Sequence, residues 1–297
     1  MQNQISPLLP AIPLILTFGV SDPVGAIGIQ ADLATFAAFS CHGLSVTTAL
    51  LIGDTARVED MQEIAPEWVS DQARVLLEDM QVAAIKIGAL GGLEHLTAIA
   101  EIVSDYPDVP VILDPFISAL PEQGLDSEDI LTALRQLLIP QTTLLMLSPV
   151  ELERLAETWR DSSNGDTLQA DIEHLLELGC AYVLVTGSAG EKGLAGSFSN
   201  TLFGSEGVIG AFQWQHLPGP FTGAGSTLSA ALTALLTLKY VPQNDAGEDA
   251  DDSDADMAQA VLAAHDYTAG ALAHAQRFGM GKLVPNRFFR QTTQNSH

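Results

Sequence analysis

Short apolar runs alternate with helical segments along most of the chain, and this alternation limits the folds open to it. Six runs have the length and composition of strands, and each precedes a segment with helical spacing: 14–19, 44–53, 82–90, 109–116, 142–149 and 181–187. Several are apolar throughout, as strands buried on both faces are. Strands that alternate with helices form parallel sheets covered on both sides. The pattern predicts an α/β fold with a mostly parallel central sheet.

The carboxyl ends of the strands are where an open α/β sheet binds its ligands. The first candidates for a site are therefore the residues that follow the six runs: Asp22, Gly53, Ala89, Asp114, Pro149 and Gly187.

Composition excludes some classes of partner. The 297 residues carry a formal net charge of -25 with only 12 Lys and Arg, so we expect no nucleic-acid partner, because a phosphate backbone needs a basic face. We find no apolar run near the roughly 20 residues of a membrane span and no signal-peptide pattern, and we expect a cytoplasmic protein without membrane contact. Cys41 and Cys180 lie in core-like segments and are expected to be buried thiols.

One segment stands apart in composition. Residues 244–256 contain seven acidic residues and no apolar side chain larger than alanine, which predicts a mobile, solvated loop between two helices. No linker divides the chain, so we expect residues 1–297 to form a single domain.

A glycine-rich stretch, "GPFTGAGSTLSAALTALL" at 219–236, leads into an apolar run with helical spacing. It places Gly223, Ala224, Gly225 and Ser226 at a helix N-terminus, where free backbone N–H groups and the helix dipole favour an anion. The stretch has neither the ending of a Walker A loop nor the dinucleotide spacing. On its own it fits a phosphate cradle and a tight turn equally well.

Seven blocks follow one another from about residue 14 to 289. They are "GVSDPVGAIGIQADLATF", "CHGLSVTTALLIGDT", "VAAIKIGALG", "VILDPFISA", "LSPVELERL", the glycine-rich stretch and "GKLVPNRFF". In this order they resemble the hydroxymethylpyrimidine/phosphomethylpyrimidine kinases of the ribokinase-like superfamily. The first block is similar to that family's G-S-D-P-S-G-G-A-G-I-Q-A-D-L-K-T-F, and the glycine-rich stretch falls at its anion-hole loop. The ordered series is far more specific than any single block.

The resemblance implies a ribokinase-like three-layer α/β/α sandwich. It also implies a homodimeric kinase that uses ATP and Mg²⁺ to phosphorylate 4-amino-5-hydroxymethyl-2-methylpyrimidine or its monophosphate in thiamine biosynthesis. Residues 223–226 would cradle the transferred phosphoryl group, with Ser226 facing the attacking hydroxyl. The other implied positions are Asp114 and Glu153 for Mg²⁺, Thr186, Gly187 and Lys282 for the nucleotide, and Asp22, Gly53, Ala89 and Phe116 for the substrate. Lys282 also fits an ordinary surface lysine.

Several positions depart from the family pattern. Ser226 stands where the family has cysteine, and a serine hydroxyl is a poor general base. Gly53 replaces a glutamine that bonds the pyrimidine edge, Ala89 a methionine, Phe116 a valine and Val150 an asparagine. These changes leave two alternatives open: a kinase for a pyridoxal-like vitamer, and a catalytically weak or silent relative that binds nucleotide or pyrimidine.

Overall fold

The computed structural model describes residues 12–115, 128–160, 167–189, 197–215, 217–240 and 253–294. Within these ranges nine strands form one sheet in the order β3-β2-β1-β4-β5-β6-β7-β8-β9. The strands are Leu14–Ser21 (β1), His42–Gly53 (β2), Val58–Glu63 (β3), Ala84–Ile87 (β4), Val111–Leu113 (β5), Leu144–Leu147 (β6), Tyr182–Ala189 (β7), Ser197–Gly204 (β8) and Gly207–Gln215 (β9).

Six neighbouring strands are parallel, and each overlaps one of the six predicted runs, so the mostly parallel sheet is confirmed. The three antiparallel strands β3, β8 and β9 were not predicted, and β2 and β7 lead into strands instead of helices. Strand β3 reads VEDMQE and exposes most of its side chains at the sheet edge, so it lacks the apolar signal of a buried strand.

Helices cover both faces of the sheet, as the three-layer prediction requires. Helices α1, α7 and α8 pack on one face with Ile15, while α2 to α6 pack on the other with Leu16. The helices are Gly28–Ala38 (α1), Pro66–Asp79 (α2), Leu93–Ser104 (α3), Glu128–Ala133 (α4), Pro149–Ala156 (α5), Leu168–Glu177 (α6), Ala224–Tyr240 (α7), Ser253–Ala273 (α8) and Phe289–Gln294 (α9). No helix among the described residues has the length and apolarity needed to cross a membrane.

Two smaller predictions meet the structure here. Cys41 and Cys180 are free and buried, as expected, and burial raises their pKa values to about 11 and about 12. The predicted acidic loop, 244–256, extends too far at its C-terminal end, because α8 already begins at Ser253. Asp254 and Asp256 lie in its first turn, where the helix dipole favours carboxylates. The remainder of the predicted loop, 244–252, lies outside the described residues.

A buried ion pair joins the sheet to α1 near the middle of the molecule. Lys86 on β4 and Asp32 on α1 are 2% and 1% exposed, and the Lys86 Nζ lies 3.1 Å from the Asp32 carboxylate. The Thr17 hydroxyl donates a second hydrogen bond, of 2.7 Å, to the same carboxylate. Each of these buried charges compensates the desolvation cost of the other, so the pair holds α1 in register with β1 and β4.

The substitution Asp32→Asn leaves Lys86 buried without its counter-charge. We expect it to lower the free energy of unfolding by about 3–5 kcal/mol, measured by urea denaturation. The matched control is Asp105→Asn at the exposed Arg74–Asp105 pair, where about 0–1 kcal/mol is expected. Equal losses in the two variants would contradict this account of the buried pair.

Candidate active site

The N-terminus of α7 is built by a close approach between two backbone segments. Gly223 has φ +86°, and a Cβ atom there would overlap the carbonyl oxygen of Ala26 in the loop after β1. Helix α7 starts at the next residue, and the Thr227 N–H makes a helical bond of 3.0 Å to the Gly223 carbonyl. The N–H groups of residues 223–226 therefore precede the helical ladder and have no acceptor within the helix. These are the four residues predicted to form the cradle.

Two of the cavities at this helix end share Ala224 and Gly225. The larger, of about 490 Å³, lies toward the loops after β1 and β2, and the smaller, of about 180 Å³, lies toward β7, β9 and α8. Ala224 and Gly225 line both cavities, while Ser226 is buried in the same helical turn. An anion bound at the helix end would face both cavities at once.

Asp22 lies in the wall of the larger cavity, as predicted, but its carboxylate also organises the loop. It accepts backbone N–H bonds from Val24 at 2.9 Å, Ala26 at 2.8 Å and Ile27 at 3.0 Å. These bonds fold residues 22–27 into the turn that approaches Gly223.

Gly53 also lines the larger cavity, at the end of β2. A Cβ atom there would lie 2.8 Å from the Arg57 carbonyl oxygen and 3.0 Å from the Val58 Cα, both backbone atoms. The loop at 54–57 thus occupies the space that a larger side chain at position 53 would need.

The other two predicted substrate residues are placed differently. Ala89 is buried behind the cavity wall, in an apolar cluster with Ala26 and Ile27, and its carbonyl accepts a 3.2 Å bond from the Thr48 hydroxyl. It supports the wall from behind. Phe116 lies outside the described residues.

Lys282 lines the larger cavity together with Gly53. Its N–H donates a 2.8 Å bond to the Thr55 carbonyl, which fastens the C-terminal segment to the loop after β2. The side chain therefore belongs to the larger cavity, and its predicted role toward the nucleotide stays a prediction.

Thr186 and Gly187 line the smaller cavity at the end of β7. Gly187 has φ +69°, and its N–H donates a 2.9 Å bond to the Asn200 side chain. Trp214 on β9 and His265 on α8 are among the lining residues that were not predicted. The Trp214 Nε1 and His265 Nδ1 atoms are buried without a hydrogen-bond partner, and burial lowers the pKa of His265. Buried polar atoms are rarely left unpaired, so these two are available to a ligand in the cavity.

Asp114 is buried at the end of β5, and its carboxylate accepts a 2.7 Å bond from the Ser229 hydroxyl on α7. Burial raises the pKa of Asp114 to about 6, the positive charge of Lys86 opposes this rise, and the negative charge of Glu151 adds to it. Glu153 is exposed on α5, whereas Glu151, two residues earlier, and Asp32 are the acids whose charges raise the pKa of Asp114.

The start of α5 explains how Glu151 is held. Its carboxylate accepts a bond from the Ser148 N–H at 2.8 Å, and its own N–H donates to the Ser148 hydroxyl at 3.3 Å, which together form a capping box. Val150, where the family carries asparagine, is 59% exposed. Within the described ranges no three His, Cys, Asp or Glu side chains form a group that could hold a metal by themselves.

The nine-stranded sheet with helices on both faces is a ribokinase-like three-layer α/β/α fold. The ADP complex of Bacillus subtilis pyridoxal kinase shares this fold, with a TM-score of 0.77 at 22% identity over 95% of this chain and 99% of that one.

Sequence comparison then gives the family. The model described as phosphomethylpyrimidine kinase matches residues 22–286. The hydroxymethylpyrimidine/phosphomethylpyrimidine kinase of Escherichia coli is 33% identical over 223 residues, which are 74% of this chain and 81% of that protein. The phosphomethylpyrimidine kinase structure from Clostridium difficile has a TM-score of 0.65 at 26% identity, covering 86% of this chain and 99% of that one. The chain belongs to the phosphomethylpyrimidine kinase family.

The substitution Gly223→Ala tests the close approach at the helix end. An alanine there would be strained by the positive φ, and its Cβ would clash with the Ala26 carbonyl. We therefore expect a loss of at least about 2 kcal/mol in unfolding free energy. Gly225→Ala is the control, because a Cβ at that position meets nothing within 4 Å, and it should change the value by no more than about 1 kcal/mol. Chemical denaturation of both variants checks this, and a Gly223 variant as stable as its control would refute it.

Proposed function

We propose that this protein transfers the γ-phosphoryl group of ATP to 4-amino-5-hydroxymethyl-2-methylpyrimidine, to its monophosphate, or to both in turn. The observation that carries the proposal is the N-terminus of α7, whose free N–H groups at 223–226 lie between two cavities. Phosphoryl transfer needs an acceptor and a donor on opposite sides of one anion site. Family membership supplies the identity of the acceptor and its place in thiamine biosynthesis.

The larger cavity suits the pyrimidine. Ala26, Ile27 and Leu51 give it an apolar wall, and Asp22 and Lys282 add polar groups. Flat heteroaromatic ligands bind in pockets of this kind, with apolar surfaces against the ring and a few polar groups that fix its orientation. The absence of a side chain at Gly53 removes one hydrogen bond that the family pattern has at this wall.

The smaller cavity suits the nucleoside part of ATP, with the phosphates directed toward Ala224 and Gly225. An indole N–H only donates, whereas a neutral imidazole both donates and accepts. Trp214 and His265 therefore offer a donor and an acceptor to a ligand that carries both kinds of group, as adenine and ribose do.

Asp114 is the residue that fits Mg²⁺ best. Mg²⁺ binds through one or two carboxylates together with phosphate oxygens and water, so a site with few protein ligands suits it. Bound there, the ion would neutralise charge on the phosphates, and Glu153 stays the second predicted ligand. Since the pKa of Asp114 is about 6, this carboxylate takes up a proton below that pH, and Mg²⁺ affinity should then fall.

Ser226 serves to orient the attacking hydroxyl. Its own pKa is too high for it to act as an effective base, so the proton passes to the phosphoryl group or to water. A loose transition state tolerates a weak base, which predicts a slow enzyme.

Two further expectations stay predictions: the homodimer implied by the resemblance and the cytoplasmic location.

Turnover is the direct test. Purified protein with Mg²⁺ and ATP is offered the hydroxymethylpyrimidine, its monophosphate or pyridoxal, and the products are followed by mass spectrometry. We expect phosphorylated pyrimidine, with no product from a Gly223→Asp variant that retains its fold. Pyridoxal phosphate as the sole product would show that the acceptor is pyridoxal and not the pyrimidine. Nucleotide binding without any product would overturn the kinase proposal and identify a binding protein.

Ser226→Cys tests the account of the missing base. A thiol has a much lower pKa than a hydroxyl, so we expect kcat to rise by about tenfold with little change in the KM for ATP. Ser226→Ala, which removes the orienting hydroxyl, should lower kcat. An unchanged rate in the cysteine variant would count against a weakened base at this position.

A further inference from the structure

Arg287 connects the two backbone segments that meet at the helix end. Its guanidinium donates bonds to the carbonyls of Gly25 at 2.9 Å and Ala26 at 2.6 Å, and to the Thr227 hydroxyl at 3.2 Å. The first two acceptors belong to the loop at 22–27, and the third is on the first turn of α7. The side chain is 5% exposed, so these bonds form away from bulk water.

The same loop is held from its other side by Asp22. The Ala26 N–H donates to the Asp22 carboxylate at 2.8 Å, while the Ala26 carbonyl accepts from Arg287. Side chains of opposite charge thus fix the N–H and the carbonyl of one residue. That carbonyl is the atom against which Gly223 packs, so the loop cannot move without disturbing the start of α7.

The C-terminal segment keeps Arg287 in place. The Arg287 carbonyl accepts a 2.7 Å bond from the Tyr267 hydroxyl on α8, and the preceding Asn286 N–H donates 3.0 Å to the Ala271 carbonyl. The backbone that carries the guanidinium is therefore fastened to α8, which is separate from the loop at 22–27 and the start of α7 that Arg287 connects.

We propose that Arg287 is a positioning residue that sets the separation between the acceptor-binding loop and the anion site of α7. This inference rests on the proposed function, in which the larger cavity holds the acceptor and residues 223–226 hold the transferred group. Asp22, Ala26 and Gly223 all line that cavity, so a shift of the loop moves the acceptor relative to the phosphoryl group. A misplacement of about 1 Å in such a geometry can slow the reaction by roughly 100-fold.

The charge of Arg287 acts at the same place. Its Nη2 atom lies 3.1 Å from the position that a Cβ of Gly223 would occupy, so the cation is next to the predicted cradle. Burial lowers its pKa to about 10, which leaves the group charged at neutral pH, and the charges of Asp32, Tyr267 and Asp22 oppose the fall. A fixed cation here favours an anion at the helix end.

Arg287→Lys is the informative variant, because it keeps the charge and removes the planar fork that reaches two carbonyls. Arg290→Lys is the matched control on the same segment. Its guanidinium lies over the rings of Phe39, Tyr267 and Phe289 at 5.2 to 5.9 Å and lines neither cavity. Hydrogen exchange of residues 22–27 and 221–228, steady-state kinetics and thermal unfolding are measured on both.

For the Arg287 variant we expect faster exchange in both segments, kcat lower by roughly 10- to 100-fold and a higher KM for the pyrimidine. The KM for ATP should change by less than about threefold, because Trp214 and His265 are untouched. The Arg290 variant should keep parental kinetics. A conservative Thr227→Ser variant, which retains the hydroxyl acceptor, should also stay close to the parent.

An Arg287 variant that loses thermal stability and keeps parental kcat and both KM values would overturn the inference, since the residue would then be structural only. If the Arg287 variant does not fold, Thr227→Val is measured instead, because it lacks the hydroxyl that accepts a bond from Arg287. It must show the same kinetic changes with smaller fold-changes, or the inference fails. A parent without turnover would refute the proposed function instead. The inference is then judged on the dissociation constant for the pyrimidine, which must rise in Arg287→Lys and not in Arg290→Lys.

Discussion

The contact between Gly223 and the Ala26 carbonyl is the constraint on which the site depends. It brings the loop after β1 against the start of α7, although the two segments are far apart in sequence, and only a residue without a side chain permits it. The helix end, both cavities and the bonds of Asp22 and Arg287 are arranged around this approach. A stable α/β sandwich could form without the contact, but its anion site would lie apart from its acceptor.

The charges near the site contrast with those of the whole chain. A formal net charge of -25 creates a field that repels ATP. A buried cation, Arg287, lies on the inner side of the site, close to Gly223. In a low-dielectric interior its charge acts more strongly at short range than a comparable surface charge does. Together with the dipole of α7, it favours an anion at the helix end, which the acidic surface does not.

Much of the fold could be predicted from sequence, because it follows from local patterns. The six apolar runs and the glycine-rich turn each carry their signal within a few residues, and the glycine-rich pattern with the helical spacing after it placed 223–226 correctly at a helix start. Arg287, Trp214 and His265 could not be found in this way. Arg287 acquires its role from partners about 60 and 260 residues away, and the other two become unusual only when the fold buries their nitrogen atoms. Nor could the sequence show which acid of α5 acts on Asp114: Glu153 stays the predicted metal ligand, whereas the charge of Glu151 raises the pKa of Asp114.

The backbone around Gly53 restricts how the larger cavity can be redesigned. Because the Arg57 carbonyl and the Val58 backbone fill the space beside its Cα, a glutamine at this position would collide with main-chain atoms. The loop at 54–57 is also tied through Thr55 to the C-terminal segment at Gly281 and Lys282. A variant that restores the glutamine of the family pattern therefore has to change this loop and the C-terminal segment together with position 53.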